Sequence, residues 1–225
     1  GKFKVGADLF WRPSTNFQMT ATINPDFGAV ESDNVDINLT ADETFFPEKR
    51  LFFLEGQEIF DISGSEGQFG QQPLTIINTR RIGGRPRELD LQDGVELSDR
   101  QELKPADIIA ATKATGQIGS FRYGLLAAVE EDTDYIASDD QFYSMPGRDF
   151  GAVRVLYEDS IGAAYRGIGW ISTLAAHPDA DATVHAADFH YLTTSGKWSF
   201  NGQAIYSDLD EDGAGSGFLA DATYT

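Results

Sequence analysis

Hydrophobic and polar residues alternate with a period of two, in runs of about ten residues at a time. Over residues 3–12, Phe3, Val5, Ala7, Leu9 and Trp11 fall on one face, and Lys4, Gly6, Asp8, Phe10 and Arg12 on the other. Residues 17–24 set Phe17, Met19, Ala21 and Ile23 against Gln18, Thr20, Thr22 and Asn24. Residues 121–130 set Phe121, Tyr123, Leu125, Ala127 and Val129 against Arg122, Gly124, Leu126, Ala128 and Glu130. Near the end, Trp198, Phe200, Ala204 and Tyr206 oppose Ser199, Asn201, Gln203 and Ser207, and Phe218, Ala220, Ala222 and Tyr224 oppose Asp221, Thr223 and Thr225. Successive side chains of a strand point to opposite faces, so each run predicts a strand with one apolar face. Roughly nine to ten such strands reach the length that crosses a bilayer. In residues 164–174, Arg166 shares a face with Ile168 and Trp170, which predicts a bulge that resets the register there.

Soluble sandwiches show the same period, because their apolar face meets a second sheet. Connection lengths favour another architecture. Short turns at 13–16, 116–119, 159–161 and 194–196 take turns with longer stretches at 25–107, 131–148, 175–182 and 208–216. Tight turns on one side and long loops on the other are the mark of an up-and-down outer-membrane barrel. The predicted fold is therefore all-β, an antiparallel up-and-down transmembrane β-barrel. Residues 1–24 form its first hairpin, 25–107 an inserted plug or loop segment, and 108–225 strands that continue beyond the chain end, as part of a larger barrel. Trp11, Tyr157, Tyr191, Trp198 and Tyr206 fall near strand ends, where an interfacial girdle would place them.

Composition narrows the partners. Aromatic residues make up 12 % and glycines number 23 of 225, which suits a twisted, turn-rich β protein. A formal charge of −19 repels a phosphate backbone, so nucleic acid is excluded as a partner. With no cysteine there is no disulfide, zinc ribbon or thiol nucleophile. No apolar run approaches the roughly 18 residues of a spanning helix, which leaves crossing by strands open. Two acidic stretches, "EEDTDYIASDD" and "SDLDEDGAGSG", fall in the long connections, where water carries their charge at little cost.

Chemistry concentrates in the inserted segment. In "FFPEKRLFF" the rings of Phe45, Phe46, Phe52 and Phe53 surround Glu48, Lys49 and Arg50, with Glu55 just beyond. So apolar a segment does not hang in water. It is expected to fold inward as a plug, pairing its charges with wall residues Asp8, Arg12, Lys113 and Arg122; the rival reading is an outer loop packed on the rim. "RRIGGRPR" begins with Arg80 and Arg81 and reads either as a cationic patch for an anionic solute or as salt bridges to Glu88, Asp90 and Asp93. "DLDEDG" has the early ligand spacing of a calcium loop, but Leu219 stands where the closing Glu belongs, so a hairpin loop is favoured. His185 and His190 point to opposite faces, and His177 lies in a loop, so no metal site and no cofactor is expected. Asp188 and His190 share the predicted lumen face and read as pore lining. No catalytic spacing appears, and no enzyme activity is expected.

The stretch "INPDFGAVESDNVDINLTADETFFPEKRLFFLEGQEIFDI", then "NTRRIGG", then "AATKATGQIGSFRYGLLAAV" resembles a family of Gram-negative outer-membrane proteins described as carbohydrate-binding family 9-like. In that family a DOMON-type domain precedes a C-terminal barrel, and this chain resembles the first part of the barrel domain. Leu51 stands where the family favours Pro, and Thr79 where Ser is usual. The resemblance implies an outer-membrane location, with lipid and lipopolysaccharide as surroundings and a glycan-related solute or protein partner. The function expected is a plugged or gated pore for a solute or an exported chain. The rivals are a sealed barrel anchoring a surface receptor or carbohydrate-binding module, and a soluble carbohydrate-binding sandwich or glycosidase fragment.

Overall fold

The computed structural model describes residues 5–27, 47–62, 76–87, 89, 91–210 and 213–225. It is all-β, with two short helical turns and one large antiparallel sheet. The strands are β1 (Ala7–Ser14), β2 (Phe17–Ile23), β3 (Ile108–Ile118), β4 (Phe121–Glu130), β5 (Thr133–Ile136), β6 (Phe142–Met145), β7 (Asp149–Ile161), β8 (Ala164–Ala176), β9 (Ala182–Leu192), β10 (Trp198–Leu209) and β11 (Gly213–Tyr224). Nine of them form the sheet in the order β1-β2-β3-β4-β7-β8-β9-β10-β11, a meander whose edges are β1 and β11. The remaining pair, β5 and β6, makes a separate hairpin inside the β4–β7 connection.

A meander puts all its odd turns at one end. The β3–β4, β7–β8 and β9–β10 turns there each use a glycine at positive φ: Gly119, Gly162 and Gly196. At the other end lie the insert between β2 and β3, the β5–β6 hairpin, and the connections 177–181 and 210–212. The last two are shorter than the sequence suggests. Small residues of "GAGSG" continue the ladder, pairing Leu209 with Gly213 and Asp208 with Ala214, so Asp208 lies in a strand and not in an ion-binding loop. The expected bulge near Arg166 is also absent. Pairing of β7 with β8 runs unbroken from Asp149↔Ala176 to Ile161↔Ala164, and Arg166 stays on the face of Ile168 and Trp170, paired with Asp159 at 2.5 Å.

The two faces of the sheet differ. Leu126, Ala128, Leu156, Ile171 and Ala186 are buried on one face under Phe52, Phe53, Ile59, Phe60, Ile62 and Ile82 of the insert. On the opposite face Leu125, Val129, Val155, Ile168, Trp170, Phe189, Tyr191 and Tyr206 are exposed. We call these the covered and the open face.

Candidate functional site on the covered face

The insert packs as two short pieces tied together by one charged pair. Arg50 precedes the helical turn α1 (Leu51–Leu54), whose Phe52 and Phe53 are buried and meet edge to face at 4.9 Å. The guanidinium donates to Glu48 at 2.7 Å, to the Ile82 carbonyl at 2.5 Å and to the Thr79 carbonyl at 2.6 Å, and lies over the Phe53 ring. Thr79 donates its hydroxyl to the other side of the same contact, Glu48 Oε2, at 2.7 Å. The "PEKR" and "NTRRIG" stretches therefore form one folded unit. Burial would raise the Glu48 carboxyl, but the hydrogen bonds from Arg50 and Thr79 outweigh it and hold the group below the usual carboxylate range.

The wall grips this unit by its backbone. Lys113 of β3 donates to the carbonyls of Phe52 and, at 3.2 Å, Phe53, which satisfies orphan acceptors at the end of α1. Arg154 of β7 donates to the Ile59 carbonyl at 3.2 Å, and Gln203 of β10 to the Ile62 carbonyl at 2.7 Å. Glu130 accepts from the Gly83 amide at 2.7 Å and from Arg148, which also reaches the carbonyls of Arg81 and Arg85. Gly124 makes the close approach possible, since a Cβ there would lie 2.8 Å from both Ile59 and Phe60.

Beside the insert a polar chain runs from a buried pair out to an exposed carboxylate. Arg154 and Asp188, 1 % and 0 % exposed, pair through two hydrogen bonds of 2.5 and 2.8 Å. His190 Nε2 lies 3.1 Å from Asp188 Oδ2, and its Nδ1 lies 3.0 Å from Asn201 Oδ1. Asn201 in turn donates to Asp221 at 2.9 Å. Gly169 leaves room for the guanidinium, because a Cβ there would stand 2.6 Å from the Arg154 Cζ.

Of the residues predicted from sequence, Phe52, Phe53, Glu48, Arg50, Lys113, Asp188 and His190 come together on the covered face. Arg122 joins them, 3.9 Å from Glu58 of the insert and 3.3 Å from Glu158. The predicted pairing of insert charges with the wall is corrected in one respect: Glu48 and Arg50 neutralise each other, and Lys113 meets carbonyls instead of a carboxylate. Asp8 and Arg12 lie on edge strand β1, where both are exposed. Lys49, Glu55 and Arg81 are exposed and Arg80 half-buried. Phe45, Phe46, Glu88 and Asp90 lie outside the described residues. Sequence reasoning missed Arg154, Glu130, Arg148 and Gln203. Arg154 carried a signal, a lone Arg between Val153 and Val155 in an alternating run. Among the described residues no group of three or more His, Asp or Glu is placed to hold a metal ion.

A family model described as "Domain of unknown function (DUF5916)" matches residues 1–145. That span takes in the first hairpin, the insert, Lys113 and the β5–β6 hairpin, and ends before the wall residues Arg154 and Asp188. No curated protein and no solved structure matches the chain.

Proposed function

We propose that this chain, which belongs to the DUF5916 family, is part of an outer-membrane β-barrel whose interior is occluded by its own insert, and that it works as a plugged or gated pore. The open face carries the reading. Its exposed residues are mostly aromatic and aliphatic on neighbouring strands, with the Arg166–Asp159 pair set near the β7–β8 turn, and among the described residues no second sheet covers them. In water such a patch is a large unfavourable surface; in hydrocarbon it is a match.

The distribution of rings supports it. Toward the short turns, Tyr191, Phe200, Trp198 and Tyr224 cluster, with Phe121 and Tyr157 in contact nearby. A second row, Trp170, His185 and Tyr206, stacks nearer the other end of β9 and β10. From Trp198 to Tyr206 the open face of β10 extends roughly 26 Å along the strand at about 3.3 Å per residue, which fits an apolar band about 25 Å tall in a tilted barrel wall. Charges on the other face then line a lumen, as Asp188, Arg154 and His190 would. Unpaired edges on β1 and β11 are intolerable in lipid, so the reading requires both to be paired in the membrane-inserted protein.

The family resemblance extends this to a surface partner or solute of glycan type. A second reading has its own support: the insert is so well packed, with Phe53, Ile59 and Ile62 nearly inaccessible, that the barrel would be a sealed anchor. Planar-bilayer recordings separate them. A pore conducts once residues 25–107 are removed; an anchor stays silent with and without them. A chain that remains in the aqueous phase without detergent contradicts both.

A further inference from the structure

Between the tail of the insert and the β5–β6 hairpin lies a cavity of about 610 Å³, within the range of small-molecule sites. Its walls are tied together. Glu96 and Ser138 exchange two hydrogen bonds, from the Glu96 amide to the hydroxyl at 3.0 Å and from the Ser138 amide to the Glu96 carbonyl at 2.9 Å. Lys104 donates to the Asp134 carbonyl at 2.7 Å and lies over the Tyr135 ring. The Arg85 carbonyl accepts from Arg148 at 3.2 Å.

Tyr135 lines this cavity and is only 3 % exposed, yet its hydroxyl makes no hydrogen bond among the described residues. A buried hydroxyl in that position has given up water without a return. Burial pushes the phenol above its usual range, against the pull of the nearby Arg85 charge, so it keeps its proton and can donate. Arg85 also lines the cavity, and its exposed guanidinium has no ion pair or hydrogen bond among the described residues. With Arg85 and Lys104 flanking the phenol, the group that completes this end is an acceptor of negative charge. Three carboxylates line the same cavity: Glu96, and Asp99 and Glu102 of α2 (Asp99–Glu102). All three are exposed and have no ion pair among the described residues, so they draw a cation. Arg87, the other guanidinium there, has a partner of its own. Half-buried Leu91, Val95 and Leu97 add apolar surface. An anion alone would leave the carboxylates unmatched, and a cation alone would leave Arg85 and the phenol unmatched.

We infer that this cavity binds a zwitterion with an apolar body, the chemistry of a short apolar peptide: its carboxylate on Arg85 and Tyr135, its ammonium toward Glu96, Asp99 and Glu102, its side chains on Leu91, Val95 and Leu97. The site stands apart from the pore reading, because none of these residues belongs to the nine-stranded sheet. The test is isothermal titration of the full chain in detergent micelles with three probes that differ by one charge: the dipeptide Leu-Leu, its N-acetyl form without the ammonium, and its C-terminal amide without the carboxylate. Leu-Leu binds tightest, the amide at least about tenfold more weakly, and the N-acetyl form severalfold more weakly. Tyr135→Phe and Arg85→Met each bring Leu-Leu close to the amide, whereas a general loosening of the cavity would weaken both probes alike. Asp99→Asn with Glu102→Gln narrows the gap between Leu-Leu and the N-acetyl form. Should Tyr135→Phe not fold, Arg85→Met decides, since that side chain is exposed. The assignment is overturned if Leu-Leu gives no binding heat, if the amide or the N-acetyl form binds as tightly, or if Arg85→Met binds Leu-Leu as the parent does.

Discussion

The two faces of one sheet follow opposite rules. On the covered face, Arg154, Asp188, Lys113 and Glu130 are buried and every one has a hydrogen-bonded partner. On the open face, Ile168 is 65 % and Phe218 88 % exposed, with nothing of the described chain above them. A soluble protein buries grease and exposes charge; this sheet buries charge beside the apolar contacts of its covered face and exposes grease on its open one. The contrast teaches that each strand serves two surroundings, a covered face that grips a peptide segment and an uncovered apolar face, and the period of two is what allows both in one stretch of chain.

Breaking the buried pair should have the largest effect. Arg154→Met leaves the buried Asp188 with only His190 beside it, at a cost of about 3–5 kcal/mol, read as the midpoint of denaturant unfolding in micelles. Arg154→Met with Asp188→Leu should recover most of the loss. If the single change is silent, the covered face is wetter than its burial indicates.

The open face is sharpened by charge insertion. Ile168→Arg should cost about 2–4 kcal/mol when folding is measured into lipid vesicles, whereas an exposed water-facing site would tolerate it within about 0.5 kcal/mol. Equal stability of parent and variant in vesicles would remove lipid from the account.

Gly124→Val tests how closely the insert and wall fit. The added branch would push Ile59 and Phe60 away, for about 1–3 kcal/mol, and cleavage of the insert by added protease should accelerate. Unchanged protection would mean the insert yields without cost.

Acidification should have the smallest effect, at the tie between the two insert pieces. The folded Glu48 carboxyl sits below its unfolded value, so its contribution is complete above that unfolded value and is lost as pH falls through the folded one. Protease sensitivity of the insert should therefore rise only at acidic pH, and Glu48→Gln should abolish the dependence.

Much of this was legible in the chain. Alternation placed Leu125 and Leu126 on opposite faces and put Asp188 with His190, and the rings of "LFF" announced a buried insert. The grip was not legible, because it joins distant positions through main-chain atoms: Arg154 to Ile59 across 95 residues and Gln203 to Ile62 across 141. A backbone carbonyl has no sequence signature. The β10–β11 connection was misjudged for a related reason. Gly and Ser between acids look like a loop, yet ladder hydrogen bonds need no side chain, and the strands simply continue.

The central claim is that hydrocarbon covers the open face. The chain's three tryptophans, Trp11, Trp170 and Trp198, all stand on it. Quenching of the native fluorescence in vesicles of acyl-brominated lipid tests the claim without any mutation. The account predicts strong quenching by the brominated chains and weak quenching by aqueous iodide; fluorescence indifferent to bromolipid and readily quenched by iodide would contradict it.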